Sequence, residues 1–476
     1  MKIVTVLAAI GPAIFLAACD MAPPYSPPQA EIPSKYKEDG LFIAAEPSDA
    51  APRGAWWEGF HDRELNRLEQ LVETANQDLA AALAAYEESR ALTAKAAASL
   101  YPYIEGDGSL SANKQSANRP LRSSSQPNYY GANQLSAQAS YEADIWGRIR
   151  DLVSAAKATE QASAADFSVV RLSLQGQLAR TYLDLRHLDI ETKLLVDTVA
   201  AYREALKVTE QRLAGKIASP ADVSRAQAQL STAEALLTDL HGRRALLEHA
   251  IAVLVGQPAS TFAVKPAPVR VALPTYPPGV PSTLLQRRPD IAAAERRVAA
   301  ANQLIGVARA AFFPRFTIDL LGGTQDTALN LFAVKNIMWS VGPSVSLPIF
   351  DAGARRADLA AAEAEHARVT AIYRGLVLRA IQEVEDDLAL QRWLKREAAN
   401  IDQAVTANQK TLDVSFALYR DGAVTYLEVV VAQAALLDSQ RTQLLLRTER
   451  LQANLGLILA LGGGWSVVQI ANLDPG

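Results

Sequence analysis

The sequence predicts a mainly α protein that carries a β-barrel section and an internal two-fold repeat. Three features of its 476 residues predict this. Long Ala-, Leu-, Gln- and Arg-rich stretches carry a heptad spacing, four segments alternate apolar and polar residues, and matched motifs recur at a common offset. The formal net charge of −4 leaves no basic field for nucleic acid. The five histidines show no metal-ligand spacing, and His241 and His249 lie too far apart on one expected helix to form a ligand pair. No Gly-rich phosphate loop, Ser-His-Asp set or metal cluster is visible. No catalytic, cofactor-binding or metal residue is therefore expected, and an enzyme is disfavoured.

Residues 1–18 read as a lipoprotein signal peptide. Lys2 supplies the positive end, and the apolar run Ile3 to Leu16, broken by Gly11 and Pro12, is too short to span a bilayer. It ends in Leu16-Ala17-Ala18-Cys19, which resembles the lipobox of bacterial lipoproteins and implies that the Cys19 thiol carries lipid. Cys19 is the only cysteine, so no disulfide is expected. Asp20 resembles an enterobacterial inner-membrane retention signal, whereas the β segments point to the outer membrane. Residues 19–55 are expected to be an extended, lipid-anchored tether, because Met21-Ala-Pro-Pro-Tyr-Ser-Pro-Pro28 cannot form a helix.

Two halves can be laid over one another. Gly147 in Trp146-Gly147-Arg148 matches Gly353 in Asp351-Ala352-Gly353, an offset of 206 residues. The same offset relates Ala226-Gln227 to Ala432-Gln433 and Gly256 to Gly462. The first repeat is placed at 56–256, a Pro-rich linker with seven prolines at 257–281, the second repeat at 282–464, and a tail at 465–476. Each half reads helix, strand, strand, long helix, break, helix. The opening helices, 62–99 and 282–311, end at the aromatic-Pro pairs Tyr101-Pro102 and Phe313-Pro314. The long helices are expected at 147–213, 220–255, 353–420 and 425–461. Leu178, Leu185, Thr192, Val199, Leu206 and Leu213 form one seven-residue series, and Leu174, Thr181, Leu188, Leu195 and Tyr202 form a second. Together they make a coiled-coil seam on a helix about 100 Å long.

A plain coiled coil does not need the strands expected at 103–113, 134–145, 315–324 and 337–349. In 134–145, Gln134, Ser136, Gln138, Ser140, Glu142 and Asp144 share one face and Leu135, Ala137, Ala139, Tyr141, Ala143 and Ile145 the other. In 337–349, Ile337, Trp339, Val341, Val345, Leu347 and Ile349 oppose Ser340, Gly342, Ser344 and Ser346. Such alternation suits a wall with lipid on one side and water on the other, although a soluble half-buried sheet alternates identically. The acids on the polar face and the long polar hairpin tips, 116–130 and 325–335, favour the membrane. Four strands cannot close a barrel, and an open edge in lipid leaves amides unpaired. A homotrimer would supply twelve transmembrane strands.

These residues resemble the outer-membrane efflux factors, the TolC- and OprM-like family, in its lipoprotein branch. The resemblance rests on Arg287-Arg-Pro-Asp-Ile291 with Glu295, Ile305-Gly-Val-Ala308 and Phe312-Phe-Pro314. It rests also on Trp56-Trp57 with Phe60 and Leu65, Asn76 with Asp78-Leu79, and Ile349-Phe-Asp-Ala-Gly353 with Arg355-Arg356. It implies a trimer whose 12-stranded barrel continues as a long periplasmic α-helical barrel. It implies a passive exit duct for drugs and toxic solutes, served by a periplasmic adaptor and an inner-membrane pump of the RND or a similar class. It also implies that the turns at Gly215 and Gly422 are the docking tip and that Glu428 rings the closed aperture, with Val431 as an apolar second ring. Asp222 would be the equivalent acid of the first half, after a one-residue insertion at Ser219-Pro220, and Tyr419 would latch it. The arginine that completes such a latch falls at Val424, leaving Arg420 or Lys216 as substitutes. A periplasmic adaptor lipoprotein is the alternative reading, but it lacks duplicated strand pairs. With three methionines, the chain offers no soft-metal track, so selectivity is expected to lie in the pump.

Overall fold

The computed structural model describes residues 20–38, 54–120, 123, 125–274 and 287–465. The signal peptide, Cys19, tether residues 39–53, linker residues 275–281, residues 282–286 and the tail from 466 lie outside the described residues. A short 3-10 turn, Trp56–Phe60, precedes α1 (Arg63–Ala75) and α2 (Gln77–Ala98). Strands β1 (Tyr103–Ser109), β2 (Ala112–Lys114), β3 (Tyr129–Gly131) and β4 (Asn133–Ala143) follow, then α3 (Arg148–Ala214) and α4 (Pro220–Leu254). The second copy consists of α5 (Pro289–Ala310), β5 (Arg315–Asp326), β6 (Ile337–Ser346), α6 (Ala354–Arg420) and α7 (Tyr426–Ala460). No helix among the described residues is long and apolar enough to cross a membrane.

The helix expected over 62–99 is two helices. Asn76 leaves the helical region (φ −69°, ψ 129°), ends α1 and begins α2. Its Oδ1 accepts from the Leu79 N–H at 2.9 Å, and its Nδ2 donates to the Leu254 carbonyl at 2.8 Å. This buried amide satisfies end groups of two helices at once. In the second copy Arg288 does the matching work, donating to the Ala460 carbonyl at 3.1 Å and pairing with Asp290 at 2.7 Å.

The repeat has two offsets. Gly147 and Gly353, and Gly256 and Gly462, all have positive φ and lie 206 apart. A Cβ on Gly256 would overlap the Ala75 carbonyl, and one on Gly462 would overlap the Arg287 carbonyl. Ala75 and Arg287 lie 212 apart, as do β1 and β5 at their first residues. The hairpin of the first copy is therefore six residues longer than that of the second. The extra chain forms the β2–β3 ladder, which the second copy lacks among the described residues.

Two compact units divide the described chain. One draws on the described residues within 20–29, 86–163 and 294–373, and holds the sheet. Its strand order is β1-β4-β5-β6, antiparallel throughout, so β4 and β5 join the two copies. Trp146 stacks on Phe313 at 4.6 Å and donates to the Pro314 carbonyl at 2.8 Å, fixing the start of α3 against the end of α5. Residues 20–29 carry no helix or strand and pack on this unit. Asn302 Nδ2 donates to the Pro23 carbonyl at 2.7 Å, and Tyr25 bonds Glu295. Ala22 lies so close to Gly306 that a Cβ there would come within 2.7 Å of its nitrogen. The strap thus follows one face of α5 through residues 306, 302 and 295, which explains the residue types of the motif there.

The other unit draws on the described residues within 30–85, 164–293 and 374–465. Its main core gathers Trp56, Trp57 and Phe60 with Leu65, Leu68 and Val72, against Leu178, Tyr182 and Leu185 of α3 and Leu455 of α7. Both heptad series of α3 contribute, since Leu174, Leu185, Leu195 and Tyr202 are all buried. The described part of the expected linker packs on this unit. Asp189, almost fully buried, accepts from Arg186 at 2.8 Å, Arg244 at 2.7 Å and the Ala267 N–H at 3.0 Å. Arg244 reaches on to the Val264 carbonyl at 2.7 Å. Every buried charge in this group has a partner, as a low-dielectric site requires.

Candidate functional site

Two features could carry function: the sheet and the paired turns between the long helices. In the sheet, register places Ala139 opposite Leu320 and Tyr141 opposite Ile318 on one face. Leu320 and Gly322 in turn face Val341 and Trp339. Nothing in the described chain covers this face: Trp339 is 74 % exposed, Ile104 71 % and Val341 61 %. The opposite face is a polar ladder. Ser140 donates to Asp319 at 2.7 Å, and Thr317 meets Ser344 at 2.5 Å. Two expected water-facing acids are committed at the strand end instead. Glu142 pairs with Arg148 at 2.8 Å and Arg315 at 3.6 Å, and Asp144 accepts from the Ile149 and Arg150 N–H groups at the start of α3. An apolar face this large and bare marks contact with lipid or with another chain, and β1 and β6 are free edges within the chain's own sheet.

The turns join α3 to α4 and α6 to α7, and they are built alike. In the first, the Ile217 N–H bonds the Arg212 carbonyl at 2.8 Å and the Lys216 N–H bonds that of Leu213 at 2.9 Å. In the second, the Ala423 N–H bonds Leu418 at 2.8 Å and the Gly422 N–H bonds Tyr419 at 3.0 Å. Both are Schellman closures with one left-handed residue. That residue is Gly422 (φ 82°) in the second turn and Lys216 (φ 59°) in the first. Gly215, expected to be the turning residue, is not; Lys216 matches Gly422 at the offset of 206. The expected insertion at Ser219-Pro220 disappears with this correction, because Ser219 caps α4 where Thr425 caps α7. Asp222 and Glu428 then fall in register, each three residues past its cap.

Their side chains differ in use. Asp222 closes a capping box: its carboxylate accepts from the Ser219 N–H at 3.1 Å and hydroxyl at 2.9 Å, and Arg225 reaches it at 3.2 Å. At the second turn Thr425 makes no side-chain cap bond. Glu428 is exposed, as is Val431 one helical turn on, and no interaction among the described residues engages the Glu428 carboxylate. The structure does not bring Tyr419 to Asp222. The Tyr419 hydroxyl is buried with no hydrogen-bond partner among the described residues, and its ring packs edge-on to Tyr426 at 5.2 Å. Tyr426 is itself buried, and burial, with Tyr419 and Tyr202 nearby, pushes its hydroxyl up to about 12. Arg420 turns towards Asp421 at 4.0 Å, both largely exposed, rather than towards Tyr419. The arginine on the Tyr419 ring is Arg212, 4.8 Å from its centroid. Sequence reasoning missed it; the signal was a basic residue in the last turn of α3 facing the matching last turn of α6.

The model of the "outer membrane efflux protein" family matches residues 68–257 and again 280–463. The chain belongs to the outer membrane efflux protein family. The two matched segments begin 212 residues apart and end 206 apart, as the two copies do. The toluene efflux pump outer membrane protein TtgC of Pseudomonas putida is 30 % identical over 456 residues, covering 95 % of this chain and 94 % of that protein. The cation efflux system protein CusC of Escherichia coli O6:H1 is 30 % identical over 466 residues, covering 95 % and 97 %. Among solved structures, the outer-membrane channel OprN superposes with a TM-score of 0.87 at 28 % identity, over 94 % of this chain and 100 % of that one. With this family membership the sheet and helices are those of a TolC-like outer-membrane efflux channel, and the adaptor reading is not favoured.

Proposed function

We propose that this protein is the lipid-anchored exit duct of a tripartite export system. Three copies close a 12-stranded barrel, each supplying β1, β4, β5 and β6, and the long helices continue as a tunnel in the periplasm. Cys19 carries the lipid. A periplasmic adaptor engages the turns at 213–219 and 421–425, and an inner-membrane pump supplies the energy and the selectivity. The solutes are drugs or other toxic compounds delivered by that pump. One observation carries this reading: a four-stranded sheet with a bare apolar face, a polar ladder behind it and a free edge on each side. In lipid, such edges are tolerated only when neighbouring copies pair them.

Glu428 is the residue best placed to act at the aperture, because its cap leaves the carboxylate unclaimed while Asp222 is held by Ser219 and Arg225. Three such carboxylates around one axis would repel each other and attract cations. Val431 would add an apolar ring beside them. Single-channel recording of the purified protein in planar bilayers tests the reading. Wild type gives cation-preferring channels of low conductance, and Glu428→Ala weakens the cation preference. Channels whose cation preference is untouched by Glu428→Ala would remove Glu428 from the aperture.

A further inference from the structure

We propose that the tip of the second-copy hairpin, residues 327–335, seats in the membrane surface at the headgroup–acyl boundary, as an apolar anchor with Lys335 at its polar edge. The proposal rests on the barrel reading above and extends the lipid contact from the strands to the loop that joins β5 and β6.

The tip spends its polar groups on itself. Between Asp326, which ends β5, and Ile337, which begins β6, side chains of the hairpin and of β4 hold the loop. The Asn330 N–H donates to the Asp326 carboxylate at 3.1 Å, and Asn133 of β4 donates from Nδ2 to the Ala328 carbonyl at 2.8 Å. Asn336 Nδ2 donates to the Asn330 carbonyl at 2.8 Å, which also takes the Ala333 N–H at 3.1 Å. The Asn336 N–H closes on the Ala333 carbonyl at 2.9 Å. Gly131 of β3 lies so close to the Thr327 carbonyl that no Cβ fits between them. Irregular backbone beside hydrocarbon is costly unless its polar groups find partners, and this network supplies them.

Its apolar side chains are left bare. Phe332 is 88 % exposed, Val334 82 % and Leu329 73 %. No charged residue lies within 327–334, and Lys335 follows at once. The exposed apolar series runs on through Ile337 and Trp339 to the uncovered face of the sheet. A bare apolar patch that continues a lipid-facing wall suits the same medium as that wall. A lysine at its margin can lay its stem along the apolar side and hold its ammonium among lipid phosphates. The first-copy hairpin makes the contrast. Its tip, 110–132, carries Lys114, Arg119, Arg122 and the run Ser123-Ser-Ser125, the composition of a loop in water. The two tips, both expected to be polar, are thus one polar and one apolar.

The test places a fluorescent probe on cysteines introduced one at a time into the full chain: Phe332→Cys at the tip, Trp339→Cys on the sheet face and Ser125→Cys on the first tip. Cys19 is the only native cysteine, so labelling of the unaltered protein sets the background. The assembled protein is reconstituted in vesicles of phosphatidylcholine and phosphatidylglycerol. Emission is quenched either by a nitroxide on the acyl chains or by iodide in the water. At position 332 the nitroxide should quench severalfold more strongly than at 125, to the degree seen at 339, and iodide severalfold more weakly. Quenching at 332 that matches 125 would overturn the anchor. So would a probe shielded from both quenchers, which marks cover by a neighbouring copy. Should the Phe332→Cys chain fail to assemble, Val334→Cys decides by the same comparison. A probe at 339 that the nitroxide does not reach would contradict the barrel reading itself rather than the anchor.

Discussion

Lys216 and Gly422 occupy the same position in two copies of one turn, both in the left-handed region, at φ 59° and φ 82°. A lysine there pays a steric cost that glycine does not. The two turns are otherwise matched bond for bond. Lys216→Gly should therefore stabilise the first turn by about 1 kcal/mol, and Gly422→Ala should destabilise the second by about the same amount. The thermal unfolding midpoint, measured for both variants, checks the opposite signs.

Asp222 is engaged at the start of α4. Its capping box with Ser219 satisfies N-terminal amides of α4. Ser219→Ala should cost about 1 kcal/mol of stability. Neither Ser219→Ala nor Asp222→Asn should raise conductance. A marked rise with Asp222→Asn alone would restore the aspartate latch.

Gly256 and Gly462 hold equivalent places against the carbonyls of Ala75 and Arg287. Each combines a positive φ with a close backbone approach, so neither tolerates a Cβ. Alanine at either position should cost roughly 2 kcal/mol or more, through strain and displacement of α1 or α5. Yield and thermal stability of the two variants should fall together, because the two sites do the same work.

The strap beyond Cys19 should respond to pH. Asp20 lies beside Asp151, and burial, then the charge of Asp20, pushes the Asp151 carboxyl from its ordinary 3.8 up to about 7. A freed strap exposes Asp151 to water and lets it ionise near its ordinary value, while the docked strap holds it protonated until about 7. Docking is therefore strongest below the ordinary value and weakens as pH rises through the window up to about 7. Limited proteolysis within residues 20–29 should be slower at about pH 5 than at about pH 9, and Asp151→Asn should remove that difference. Gly306→Ala should expose the strap at both pH values, since a Cβ would displace both Ala22 and Asp151.

Much of the fold was legible because it is written in period. The heptad residues Leu178, Leu185 and Leu195 alternate in a way only a packed helix uses, and they are buried. The alternation of Leu135, Ala137, Ala139 and Tyr141 shares one face of β4 as the dyad pattern requires. Local backbone geometry was less legible. Gly215 looked like the turning residue because glycine usually is, but hydrogen bonding placed the left-handed residue one position later, at Lys216. Asn76 looked like part of a continuous helix, since its role depends on the distant Leu254 carbonyl. Arg212 was missed for the same reason. Its partners Tyr419 and Arg420 lie more than two hundred residues away in the chain, and no spacing rule connects them. The docked strap was hidden by its prolines, which exclude a helix but say nothing of what an extended chain packs against.

In the proposed barrel, three chains close the wall through the edges of β1 and β6. Disulfide trapping across those edges distinguishes a closed ring of three from any other arrangement. Cys19 is the only native cysteine, so Asp107→Cys on β1 can be combined in turn with Ser340→Cys and Ser344→Cys on β6, which share the sheet's polar face. Oxidation of the protein in outer-membrane fractions should give, for at least one pair, covalent species of two and three chains and nothing larger. Chains that stay single across all pairs, or a ladder that continues beyond three, would contradict the trimeric barrel.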